Sequence, residues 1–208
     1  MRSLTFQGCQ SNCGKVDRPA SGVTDVRQNV IGYYEMWKAD SGGGCGDSGI
    51  MLPEMIPVEN LDQLNIAFVY IDPKDFTISD MEHVPDLLYT RLADTKTRNP
   101  DLKVWISLGG WAFNDPDQYP HLFSDIAAST AKTKMLAKGL LEFMNNYGFD
   151  GVDFDWEYPT ADDRGGDPKD KSNYPLMLQR IKRFFSVQGG GKDFGISITV
   201  PTSYWYLR

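Results

Sequence analysis

The chain is predicted to be an α/β protein built as a (β/α)8 barrel, with about five of the eight βα units present. Three observations lead there. Five short segments rich in β-branched and aromatic residues recur along the chain, each bounded by Gly, Pro, Asn or Asp. Segments with helical apolar spacing lie between them, so successive strands should run parallel. The first strand continues into the bulky "GYYEMWKAD" rather than a glycine-rich phosphate loop, which favours a barrel over a doubly wound open sheet. A complete barrel takes about 250 residues, and the chain has 208.

In order, "NVIGYYEMW" (Asn29 to Trp37) reads as the first strand and "LNIAFVYI" (Leu64 to Ile71) as the second. "PDLLYTRLADTKTRNPD" reads as a helix with Leu87, Leu88, Arg91, Leu92 and Thr95 on one side and an Asn-Pro-Asp stop. The third strand is "LKVWISLGG" (Leu102 to Gly110). The following helix, "STAKTKMLAKGLLEFMNNYG", places Met135, Leu136, Gly139, Leu140, Phe143, Met144 and Tyr147 at helical spacing. Ser129 or Thr130 can cap its start, and Gly148 suits the left-handed position after its end. "FDGVDFDWEY" (Phe149 to Tyr158) is the fourth strand. "SNYPLMLQRIKRFFSVQGGG" is the next helix, with Pro175 near its first turn, and "FGISITVP" (Phe194 to Pro201) is the fifth strand.

The hydrophobic fraction of 41% is enough for one sizeable core. A net charge of -7 leaves no basic stripe to neutralise phosphates, so no nucleic-acid partner is expected. No apolar run long enough to span a membrane occurs, and "MRSLTFQGCQ" has no apolar core of a signal peptide. The three cysteines, Cys9, Cys13 and Cys45, are too few for a structural zinc site and fit disulfides in an oxidising compartment, with one left over. No metal and no cofactor are expected. Five Trp and ten Tyr suit both a core and the stacking of sugar faces.

The fourth strand carries four acids, Asp150, Asp153, Asp155 and Glu157. Strand alternation puts Asp153, Asp155 and Glu157 on one face, toward a barrel lumen, and Val152, Phe154 and Trp156 on the other. Asp150 has the opposite parity and reads as a structural support. Three carboxylates this close cannot all ionise freely. Glu157, at the carboxyl-terminal rim between Trp156 and Tyr158, is the expected proton-holding member and a candidate general acid for glycoside cleavage. A magnesium or calcium site and a purely structural charge cluster are the alternatives on this pattern alone.

These residues resemble a known family. "DGVDFDWE" matches the Asp-x-x-Asp-x-Asp-x-Glu signature of glycoside hydrolase family 18, the chitinases. "VIGYYE", "LNIAFVYID" and "VWISLGGW" look like its first three strands. "RNPDLKVWISLGGW", "DGVDFDWEYP" and "PTSYWYLR" together look most like the fungal killer-toxin-like (class V) subgroup, and the likeness runs from about Val30 to Arg208. It implies substrate-assisted, retaining hydrolysis of β-1,4 N-acetylglucosamine linkages in chitin or chito-oligosaccharides. Glu157 would protonate the leaving oxygen. Asp155 would orient the acetamido group, with Asp153 deeper and sharing a proton with it. The resemblance further implies that Tyr33 and Ser107 hydrogen-bond near the inner aspartates and that Trp111 stacks on a sugar. Gly109 and Gly110 would leave room for the ring unless they are a plain strand-end turn. Tyr158 joins the expected substrate-binding set, and Trp205 and Tyr206 are possible subsite residues.

"CQSNCG" looks like the last turn of a hevein-type chitin-binding module. The expected organisation is therefore residues 1–14 as the tail of such a module, 15–28 as linker and 29–208 as a partial family 18 barrel. The family places a Tyr on its sixth strand and a Trp on a later one, and neither strand is among the five counted. This segment alone is thus expected to be weakly active or inactive. The full-length protein is expected to be a secreted monomer. Two other readings share the scaffold: a non-catalytic chitin-binding protein, and an endo-β-N-acetylglucosaminidase acting on N-glycans, against which the fungal motifs argue.

Overall fold

A computed structural model of the chain describes residues 29–39, 51–79 and 84–207. The module tail and linker expected over residues 1–28, and Cys9, Cys13 and Cys45, lie outside the described residues.

Five strands form one parallel sheet. They are β1 (Ile31–Glu35), β2 (Gln63–Ile71), β4 (Lys103–Gly109), β5 (Gly151–Asp155) and β6 (Gly195–Ile198), side by side in that order. They coincide with the five segments read from sequence, a residue or two aside at most ends. The short β3 (Ile78–Ser79) folds back antiparallel onto the end of β2. The turn between them is built by Asp72 and Asp75, whose carboxylates accept the N–H groups of Lys74 and Thr77 at 2.7 and 3.0 Å. The helices are α1 (Asp86–Ala93), α2 (Leu122–Ala128), α3 (Thr130–Tyr147), α4 (Asp170–Gln188) and α5 (Tyr204–Leu207). Among the described residues β1 and β6 do not pair, so the sheet is an incomplete barrel, as its five units predict.

The core lies between the outer face of the sheet and the helices. Ile66, Val104, Ile106, Val152 and Phe154 meet Leu88 and Leu92 of α1, Leu136, Leu140 and Met144 of α3, and Met177, Ile181 and Phe185 of α4. Each such aliphatic side chain, fully buried, contributes about 1.5–3 kcal/mol. Ser129 caps α3 by accepting the N–H of Lys132, and Gly148 ends it in the left-handed conformation at φ 80°.

Three details differ from the sequence reading. Leu87 and Met135 are exposed, not on the buried stripes; on α1 it is Tyr89 that is buried, with its ring against Phe143 and Phe149. The helix α4 starts two residues early, at Asp170, after a turn held by Asp167, so Pro175 falls in its second turn. Strand β5 stops at Asp155, and Glu157 stands two residues beyond it. There Trp156 leaves the ladder to stack on Phe123, with ring centroids 5.3 Å apart.

Candidate active site

Parallel register builds the site. Ser107 of β4, Asp153 of β5 and Ser197 of β6 are direct partners across three strands. Their side chains therefore meet in one layer on the inner face of the sheet. The Asp153 carboxylate accepts three hydroxyls: Tyr33 at 2.9 Å, Ser107 at 2.8 Å and Ser197 at 2.5 Å. Asp153 is buried, and its two oxygens take all three of these donors. The Tyr33 hydroxyl is pushed well above the usual phenol range by burial and by the Asp153 charge.

One layer higher, Asp155 faces Gly109 across the ladder and accepts the Thr199 hydroxyl at 2.5 Å. It is 7% exposed. Burial raises its pKa from the usual aspartate value to about 6, against the lowering by Thr199, and the charges of Glu157 and Asp153 add to the rise. A hydrogen bond to Glu157 acts in the same direction. The carboxyl that the structure brings toward neutral pH is thus Asp155. Its hydrogen-bonded carboxyl neighbour is Glu157, whereas Asp153 acts on it through charge. The hydroxyls on Asp153 come from three other strands, β1, β4 and β6.

The rim is formed by the loops after β4 and β5. Gly109 and Gly110 turn the chain at φ 109° and 87°. A Cβ on Gly109 would lie 2.6 Å from the Asp155 carbonyl, and one on Gly110 would lie 2.8 Å from the Phe68 ring. Their glycine character therefore answers to backbone conformation and to close packing against the Asp155 carbonyl and Phe68. Trp111 follows, 50% exposed. Its ring and that of Tyr158 meet edge to face with centroids 6.4 Å apart, and Tyr158 stacks on Tyr206 of α5 at 4.4 Å. Burial, with its hydrogen bond to Glu157, pushes the Tyr158 hydroxyl up to about 12. Tyr206 donates to Asp163 in the loop after β5, at 2.8 Å.

Asp150 stands apart from this column. Its carboxylate accepts the Val104 N–H at 2.9 Å and pairs with Lys96 at 3.1 Å, tying β4 and β5 together at their start. This is the supporting place that its parity indicates.

The sequence reading brought Tyr33, Ser107, Asp153, Asp155, Glu157, Trp111 and Tyr158 forward, and the structure gathers them along one end and the inner face of one sheet. Ser107 is fully buried against Asp153, so it supports that carboxylate from below. The reading missed Ser197, Thr199 and Arg164. The first two were open to view: in "GISIT" Ser197 and Thr199 alternate with Ile196 and Ile198, and polar alternation on a strand marks a polar face. Arg164, in an Asp- and Gly-rich loop, carries no such signal.

A parallel βα sheet with a column of carboxylates rising to the carboxyl ends of its strands defines the class: an α/β-barrel protein of the glycoside-hydrolase kind. Residues 29–208 match glycosyl hydrolases family 18, and the chain belongs to that family. It is 32% identical over 205 residues to killer toxin subunits alpha/beta of Kluyveromyces lactis, covering 97% of this chain and 16% of that protein. It is 37% identical over 218 residues to probable chitinase LysM18 of Penicillium expansum, covering 97% of this chain and 13% of that one. The fold is shared with a variant of the Ostrinia furnacalis Group II chitinase catalytic domain 2, solved in complex with penta-N-acetylchitooctaose. The TM-score is 0.72 at 23% identity, over 85% of this chain and 44% of that one. The chain thus spans less than half the length of each of these proteins.

Proposed function

We propose that the site belongs to a chitinase, cleaving β-1,4 N-acetylglucosamine linkages of chitin or chito-oligosaccharides with retention. The observation that carries this reading is the graded carboxyl column. Asp153 accepts three hydroxyls, Asp155 is raised to about 6, and Glu157 stands last, at the open rim beside Trp111 and Tyr158.

In the proposed reaction, Glu157 donates its proton to the glycosidic oxygen as the bond from that oxygen to the anomeric carbon breaks. The carbonyl oxygen of the sugar's own acetamido group forms the new bond to that carbon, giving an oxazolinium ion. A nucleophile already attached to the substrate acts at high effective molarity, so none is required of the protein. Asp155 holds the acetamido N–H and offsets the positive charge. Water then attacks the same carbon from the face the leaving group vacated, returning its proton to Glu157, and the acetamido group is restored. The half-exposed Trp111 would carry a sugar face. We place the protein outside the cell, as the likeness to the fungal subgroup implies.

The test is hydrolysis of chitohexaose by the 208-residue chain and by Glu157→Gln. Loss of about 10²–10⁴-fold in turnover on substitution is expected of a general acid. Binding of chitohexaose without turnover in either protein would show a non-catalytic binder instead.

A further inference from the structure

We infer that Arg164 is a positioning residue that holds the backbone of Glu157 and the indole of Trp111 as one unit. The inference rests on the reading of Glu157 as the acid. Neither residue is held by the sheet. Glu157 lies past the end of β5, and Trp111 lies past β4 after two left-handed glycines. The distance between acid and aromatic platform must therefore be set by something other than the ladder.

Arg164 sits in the loop after β5 and is only 6% exposed. Its Nε donates to the Glu157 carbonyl at 3.2 Å, Nη2 donates to the Trp111 carbonyl, and Nη1 pairs with Asp115 at 2.7 Å. Its guanidinium carbon lies 3.9 Å from the centre of the Trp111 ring. The edge of one planar group thus binds both loops while its face covers one side of the indole. Trp111 remains half exposed, which leaves indole surface for a ligand. Asp115, closest of the carboxylates at 2.7 Å, compensates the buried charge. A lysine could keep the charge but has no plane to stack and no fork to reach three acceptors. Where the reacting groups must be placed to within about 1 Å, a slip of that size costs about 10²-fold in rate.

The test uses Arg164→Lys and Arg164→Met in the same chain, with chitohexaose as the probe. Two readouts are taken. One is kcat and KM; the other is the indole N–H resonance of Trp111 in ¹⁵N-labelled protein, assigned by its loss in Trp111→Phe. For Arg164→Lys the expectation is a fall of about 30- to 100-fold in kcat/KM, most of it in kcat. The melting temperature should stay close to the parent's, and the Trp111 resonance should shift and broaden. A parent-like Trp111 resonance in the lysine variant overturns the inference, as does kcat and KM within about twofold of the parent. Arg164→Met extends the series if it folds, and the lysine variant decides if it does not. Parent turnover that survives in Glu157→Gln, with a Trp111 resonance that still moves in Arg164→Lys, supports the positioning role while removing Glu157 as the acid; where the parent turns over no chitohexaose, the Trp111 resonance alone decides the positioning role.

Discussion

Asp155 concentrates the chemistry of the site in one side chain, because burial, a hydroxyl donor and two carboxyl neighbours all act on it. Folded, it titrates at about 6; an unfolded aspartate titrates at 3.8. Between those values the folded chain keeps a proton that the unfolded chain has lost. Stability therefore falls as the pH rises through this window and levels off above it. At about 1.36 kcal/mol per pKa unit the cost above the window is about 3 kcal/mol. Asp155→Asn, which cannot ionise, should raise the melting temperature relative to the parent above about pH 6, and the gain should vanish near pH 4. Thermal melts across that range check the sign. Asp155 offsets the oxazolinium charge only as a carboxylate, so kcat/KM on chitohexaose should climb as the pH rises through about 6. Strand parity alone separated Asp150 from the other three acids. It did not show which carboxyl rises, because Thr199 and Ser197 act from β6 and Tyr33 from β1, far away in sequence.

At the scale of elements, β4, β5 and β6 are matched by size as well as by register. Trp105, Gly151 and Gly195 are partners across the three strands, and the indole lies over both glycines. A Cβ on Gly151 would come within 2.6 Å of the Trp105 ring, although the backbone there needs no glycine. Gly151→Ala should cost about 1–3 kcal/mol by overpacking. In the double variant with Trp105→Leu the two costs should be less than additive, measured by urea unfolding of the parent, both single variants and the double variant. The helices were legible for local reasons. Ser129 and Gly148 bound α3 through contacts within a few residues of themselves. The short α2 was not, since only Ser129 separates its seven residues from α3. The two-residue β3 was also missed, because it exists only through its pairing with β2.

At the scale of the molecule the sheet has two open edges among the described residues. Ile31 and Tyr33 of β1 and Ile198 of β6 are about half exposed, and Val200 beyond β6 is more so. Unpaired parallel edges with apolar side chains are a liability in isolation. The 208-residue chain by itself should therefore melt below about 45–65 °C, the range of ordinary domains, and hydrolyse chitohexaose weakly. A scanning-calorimetry transition above that range, together with rapid turnover, would contradict both expectations. The sequence by itself determined the succession of βα units, the caps of α3 and the acidic face of β5, because each depends on periodicity and on neighbours a few residues apart. Only the tertiary structure decided which hydroxyls reach Asp153, that Asp155 is the carboxyl raised toward neutrality, and that Arg164 joins the two rim loops. Those outcomes depend on distances between strands and loops that the chain brings together across 44 to 120 residues.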